Sequence, residues 1–159
     1  GRNLDDFVDD IQRYKLLVTY NGKCFDIPFV ERFFDIQIDA AHIDLRFVLA
    51  SMGYKGGLKG CEKKLGIDRG DLDGVDGYFA VLLWYEFVES GSEQALETLL
   101  AYNIEDGVNL EQLMVLAYNM KVAKPPFAES HRCVAPGLPR LPFSPDAKTI
   151  KKIRDAYYR

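Results

Sequence analysis

Leu16-Leu17-Val18-Thr19-Tyr20-Asn21-Gly22-Lys23-Cys24-Phe25-Asp26-Ile27-Pro28-Phe29-Val30 is the stretch that decides the fold. An apolar, β-branched run meets Asn-Gly, then Phe-Asp, then a proline placed where a helix can open. The pattern predicts a strand, a tight turn and a helix start, with a carboxylate at the junction. Ligand and metal sites favour such places, outside the carboxyl ends of strands in an α/β sheet.

Upstream, Leu4–Tyr14 reads as a short amphipathic helix with Leu4, Phe7, Val8 and Ile11 on one face. The strand then covers Lys15–Tyr20 and the helix Asp26–Phe34, with Pro28 in a first turn where a missing N–H costs little. A second strand is expected over His42–Phe47. Strand, helix and strand at this spacing form a βαβ unit, with parallel strands and a right-handed crossover. Gly53–Gly57 is a flexible loop, and Leu58–Leu65 a short helix that Gly66 ends. The acidic loop that follows (Asp68, Asp71, Asp73, Asp76) fits no EF-hand spacing and reads as a solvated loop.

Farther on, Tyr78–Glu89 is a helix with Ala80, Leu83, Trp84 and Phe87 turned inward. Ser92 opens the longest helix, to Met120, with Leu96, Leu99, Leu100, Asn103, Gly107, Leu110 and Met114 as its core stripe. Prolines make residues 125–145 extended, and Ser144-Pro145-Asp146 caps a last basic helix, Ala147–Tyr158.

The 159 residues suit one domain, and 48% hydrophobic content predicts a packed core. The division expected is a domain over residues 1–122, then a Pro-rich linker and basic helix over 123–159. No apolar run approaches the roughly 18 residues of a membrane span, and the start is no signal peptide. Cys24, Cys61 and Cys133 are odd in number and far apart, which predicts reduced thiols in a cytoplasmic protein. Residues 121–159 hold nine Lys/Arg against three acids, a net of +6, and residues 1–120 carry −10. Such a tail either engages phosphates or folds back on its own acidic body. Two parallel strands are too few for an independent sheet. The fold is therefore expected to be N-terminally incomplete, completed by upstream strands or by self-association through an open sheet edge. The bare Gly1 favours a fragment of a longer chain.

Asp26 is either the cap of its helix or a metal ligand. Tyr102 and Asp106 lie one helical turn apart on one face. A phenol there can orient a metal-bound water; the other reading is a tyrosine beside a solvated aspartate. Gly107, inside a helix, predicts close backbone approach. His42 and Asp44 face the same side of their strand, and His42 reads as a satisfied structural residue.

In this order and spacing, Tyr20-Asn21-Gly22, Phe25-Asp26-Ile27-Pro28-Phe29, His42-Ile43-Asp44-Leu45, Gly57-Leu58-Lys59 with Leu65-Gly66-Ile67, and Tyr102-Asn103-x-x-Asp106 resemble the ribonuclease H-like (DEDDy-type) 3′–5′ exonuclease superfamily, nearest its YprB-type branch. The resemblance covers roughly residues 5–120 and implies an α/β ribonuclease H-like fold. It implies a hydrolase acting on DNA or RNA, with a single-stranded 3′ end as partner and no membrane association. It implies two Mg²⁺ or Mn²⁺ ions on four carboxylates, with Asp26 and Asp106 as metal ligands and Tyr102 as the residue orienting water. Asn21, Phe25 and Asn103 then contact the terminal nucleotide. The family's first motif, Asp-x-Glu, occurs nowhere in this sequence. The chain alone is thus expected to be inactive, as half of an exonuclease site; the alternative is a non-catalytic module that binds nucleic acid or protein.

Overall fold

The βαβ unit forms as its sequence demands. In the computed structural model, which describes residues 4–123 and 130–157, β1 (Leu16–Thr19) pairs in parallel with β2 (Ala41–Asp44). Leu16 stands opposite Ala41 and Thr19 opposite Asp44, so both strands end at one edge. Between them runs α2 (Asp26–Phe34), and before them α1 (Leu4–Ile11), which stops short of Tyr14. Phe7 of α1 stacks on Phe34 of α2 at 5.4 Å between ring centroids. The fold is mixed α/β with a small parallel sheet, two-stranded among the described residues.

The expected second strand is cut short. It ends at Asp44, and Leu45–Ala50 form a helix, α3. Asp44 is extended (φ −98°, ψ 108°) and its side chain accepts the N–H of Arg46, so it caps α3 instead of continuing the sheet. Leu45 and Leu49 of α3 are fully buried, and α3 packs on both strands and on α4 (Gly57–Leu65). Gly66, at φ 78°, ends α4 as the sequence predicts.

The chain divides into two compact units: residues 1–66 with 110–135, and residues 67–109 with 136–159. The second contains α5 (Gly77–Ser90), α7 (Ala147–Tyr157) and the first part of α6 (Glu93–Val122). Its core is Leu72, Val75, Phe79, Leu82, Leu83, Ala95, Tyr102, Ile150 and Ile153, with Ala80, Phe87 and Leu99 against it. Trp84, expected inside, is 48% exposed. The stripe expected on α6 is also displaced. Its buried side is Ala95, Thr98, Ala101, Tyr102, Asn109, Leu113 and Ala117, while Asn103 and Gly107 face solvent. A Cβ on Gly107 would meet nothing within 4 Å, so no close approach explains that glycine.

The basic C-terminal helix folds back. Ile150 and Ile153 of α7 are buried in the second unit, and Lys152 pairs with Glu86 of α5 at 2.7 Å. The Asp146 N–H donates to Thr98 on α6 (2.9 Å). Asp146 caps α7, and hydrogen bonds from Thr149 hold its carboxyl below the usual carboxylate range. A folded-state value lowered in this way stabilises the protein above the unfolded pKa, and that stability is lost as pH falls through the folded value. The urea midpoint should therefore fall more in the wild type than in Asp146→Asn between about pH 5 and about pH 3. Equal falls would remove Asp146 from the acid response. Pro125, Pro126 and Tyr158 lie outside the described residues. Among the described residues no helix is long and apolar enough to cross a membrane.

Candidate functional site

The turn after β1 is built around one carboxylate. Asp44, 6% exposed at the end of β2, accepts the backbone N–H of Asn21 (2.8 Å), of Lys23 (3.0 Å) and of Arg46 (3.0 Å). Three N–H groups on one carboxylate fix the end of β2, the β1–α2 turn and the start of α3 together. Asn21 takes the left-handed conformation at φ 68°, which asparagine tolerates better than most residues. Its side-chain oxygen accepts a hydrogen bond from the Arg46 guanidinium. Gly22 is buried, and a Cβ there would come within 2.7 Å of three Thr19 side-chain atoms. Thr19 cannot easily move aside, because its hydroxyl accepts the Gly22 N–H (3.2 Å) and bonds His42 Nε2 (2.8 Å). His42 is thereby the satisfied structural residue that its strand position predicts.

Asp26 is not the cap of its helix. Phe25 holds that position, without a side-chain cap bond, and Asp26 is the first residue of α2. Its exposed carboxylate sits in the first turn, where the helix dipole favours negative charge. Phe25 is 71% exposed beside it. Asn21, Phe25 and Asp26 therefore share one turn of the first unit.

Tyr102, Asn103 and Asp106 belong to the second unit. Tyr102 is 6% exposed, and its hydroxyl hydrogen-bonds Asp106. Burial raises the phenol's pKa most, with the Asp106 charge and hydrogen bond adding to it. A tyrosine beside a solvated aspartate does not describe the pair: Asp106 is ion-paired with Arg69, whose side chain is 6% exposed. The guanidinium also lies 5.9 Å from the centre of the Tyr102 ring. Asn103, on the solvent side of α6, does not join this cluster.

Arg46 carries no local sequence signal of its role, whereas Arg69 does. It is the lone basic residue between Lys64 and Lys121, set inside an acidic loop. Such a cation is more easily explained by a carboxylate elsewhere in the fold than by solvent.

A family model of the RNase H superfamily matches residues 2–118. The chain belongs to the RNase H superfamily. The match spans β1, the Asp44-centred turn, Arg69, Tyr102 and Asp106, and the mixed α/β architecture accords with it. Comparison with curated proteins and with solved structures gives no match. RNase H-like membership points to nuclease-type chemistry and nucleic-acid partners, and nucleases of this superfamily typically use divalent metals. The donors here do not fit such a centre by themselves. Among the described residues no group of three or more His, Cys, Asp or Glu side chains is placed to hold a metal ion. Hard divalent cations need several converging oxygens, and the Asp106 carboxylate already answers a guanidinium and a phenol.

Proposed function

We propose that this chain belongs to a metal-dependent 3′–5′ exonuclease of the YprB-type branch, which hydrolyses phosphodiesters of DNA or RNA in the parent protein, and that alone it does not cleave. In this reading Asp26 and Asp106 are two of four carboxylates for Mg²⁺ or Mn²⁺, and Tyr102 orients water. Asn21, Phe25 and Asn103 meet the terminal nucleotide. The observation that carries the reading is the rigid turn held by Asp44, which presents Asn21, Phe25 and Asp26 from the carboxyl end of β1. The superfamily match over the same residues supports it. Incapacity alone follows from the missing Asp-x-Glu, which leaves two of four carboxylates. A second reading, a non-catalytic module of the same fold, is favoured by one observation: Asp106 serves Arg69.

The test uses single-stranded DNA and RNA labelled at either end, with Mn²⁺, beside an Asp106→Asn control. Binding without shortening is expected. Mn²⁺ should also broaden amide resonances around Asp26 and Asp106. Trimming from the 3′ end, lost in the control, would overturn the claim that the chain alone is inactive. Oligonucleotide binding with no Mn²⁺ effect at either aspartate would replace the exonuclease reading with the non-catalytic one.

A further inference from the structure

Beside the Asp44-centred turn the first unit holds a cleft of about 540 Å³ that includes neither Asp26 nor Phe25. Tyr20, Asn21, Arg46, Tyr54, Lys55 and the Gly56-Gly57 pair line it. Its chemistry runs against its surroundings. Residues 1–120 carry a net charge of −10, yet the lining holds two cations and no carboxylate. Asp44, which accepts from the Asn21 N–H at the cleft's edge, has both oxygens committed to backbone N–H groups.

The Arg46 guanidinium and the backbone that carries Lys55 are both held. The Arg46 guanidinium donates to Asn21 and lies 5.7 Å from the centre of the Phe47 ring. The Lys55 carbonyl accepts from Lys64 Nζ at 2.6 Å, which ties down the loop carrying the Lys55 side chain. Gly56, at φ 120°, adopts backbone that L side chains rarely enter, and it opens α4 without a side-chain cap. Gly57, the first residue of α4, thus lies at the lip of the cleft, beside two cations. The Tyr20 hydroxyl is directed at Cys61 (3.5 Å). Tyr54 supplies a second ring.

Two cations and backbone donors suit a phosphate, and aromatic rings suit a base. The volume lies within the roughly 300–1,000 Å³ of small-molecule sites. We propose that this cleft binds a nucleoside monophosphate unit, its phosphate against Arg46, Lys55 and the start of α4, and its base against Tyr54. The choice of a nucleotide over other phosphates rests on the nuclease reading. The unit is either a free mononucleotide or one residue of a single strand.

The experiment titrates the 159-residue chain in EDTA, so that metal binding has no part in it. The ligands are AMP, adenosine, inorganic phosphate and a single-stranded pentanucleotide, followed by amide shifts. AMP should bind at least about tenfold more tightly than adenosine or phosphate, and Lys55→Ala and Tyr54→Ala should each weaken it about tenfold. Tighter binding of the pentanucleotide assigns the cleft to a strand, and tighter binding of AMP assigns it to a free nucleotide. AMP no tighter than phosphate, or binding indifferent to both variants, overturns the proposal. AMP binding in EDTA, together with no Mn²⁺ effect at Asp26 or Asp106 in the separate EDTA-free titration, would sink the exonuclease reading and leave the cleft standing.

Discussion

Asp44→Ala is expected to be the most damaging single substitution in the βαβ unit, at a cost of about 3–5 kcal/mol. The estimate comes from its partners. Asp44 accepts from Asn21, Lys23 and Arg46, at 2.8, 3.0 and 3.0 Å. Alanine leaves three N–H groups in a part-buried setting, each costing about 1–3 kcal/mol where water cannot reach it. Water will replace some of these bonds, which keeps the total below the simple sum. Asp44→Asn separates charge from geometry. Its one remaining oxygen can still take two of the donors, while its amide faces the third, so a loss of about 1–2 kcal/mol is expected. Urea denaturation of the two variants decides the matter. Equal losses would mean that the third acceptor is worth little, and a loss under about 1 kcal/mol in Asp44→Ala would remove Asp44 as the organiser of the turn.

The same residue shows where the sequence was legible and where it was not. Leu16–Thr19, Asn21-Gly22 and Pro28 each impose a local rule, and β1, the turn and α2 (Asp26–Phe34) form where those rules place them. His42-Ile43-Asp44-Leu45-Arg46-Phe47 also alternates in strand fashion, but a short run cannot be told from the start of a buried helix by period alone. What decides it is that Asp44 caps α3 and bonds residues more than twenty positions away, which local pattern does not encode. On α6 the leucines suggest one face, and the buried face instead includes Thr98 and Asn109. Thr98 belongs there because it accepts the Asp146 N–H, 48 residues distant. Among the candidate site residues, the Tyr102–Asp106 pair was legible from four-residue spacing on a helix. Its environment was not, because Arg69 is 37 positions away.

That environment sets the second large effect. Asp106→Ala removes the carboxylate that answers Arg69, whose side chain is only 6% exposed. Breaking a buried pair by deleting one partner costs about 3–5 kcal/mol, but Asp106 is itself 28% exposed, so water can reach the gap and about 2–3 kcal/mol is expected. The reverse substitution, Arg69→Met, leaves the more accessible partner behind and should cost less, near 1–2 kcal/mol. The double variant should be no worse than Asp106→Ala alone, since the stranded cation is gone. The phenol of Tyr102 gives an independent readout. Burial and Asp106 together raise its pKa, so folding favours the neutral phenol, and that contribution is complete below the ordinary tyrosine value of about 10 and lost as pH rises through the folded value. Ultraviolet titration should find Tyr102 ionising at lower pH in Asp106→Ala, though still above ordinary tyrosine because burial persists. A neutral Asp106→Ala with an unchanged Tyr102 titration would show that the carboxylate is not committed to Arg69 and is free to serve as a ligand. The expected loss would instead mean that any cation arriving at Asp106 must first displace a guanidinium, and would have to offer more than the pair already provides.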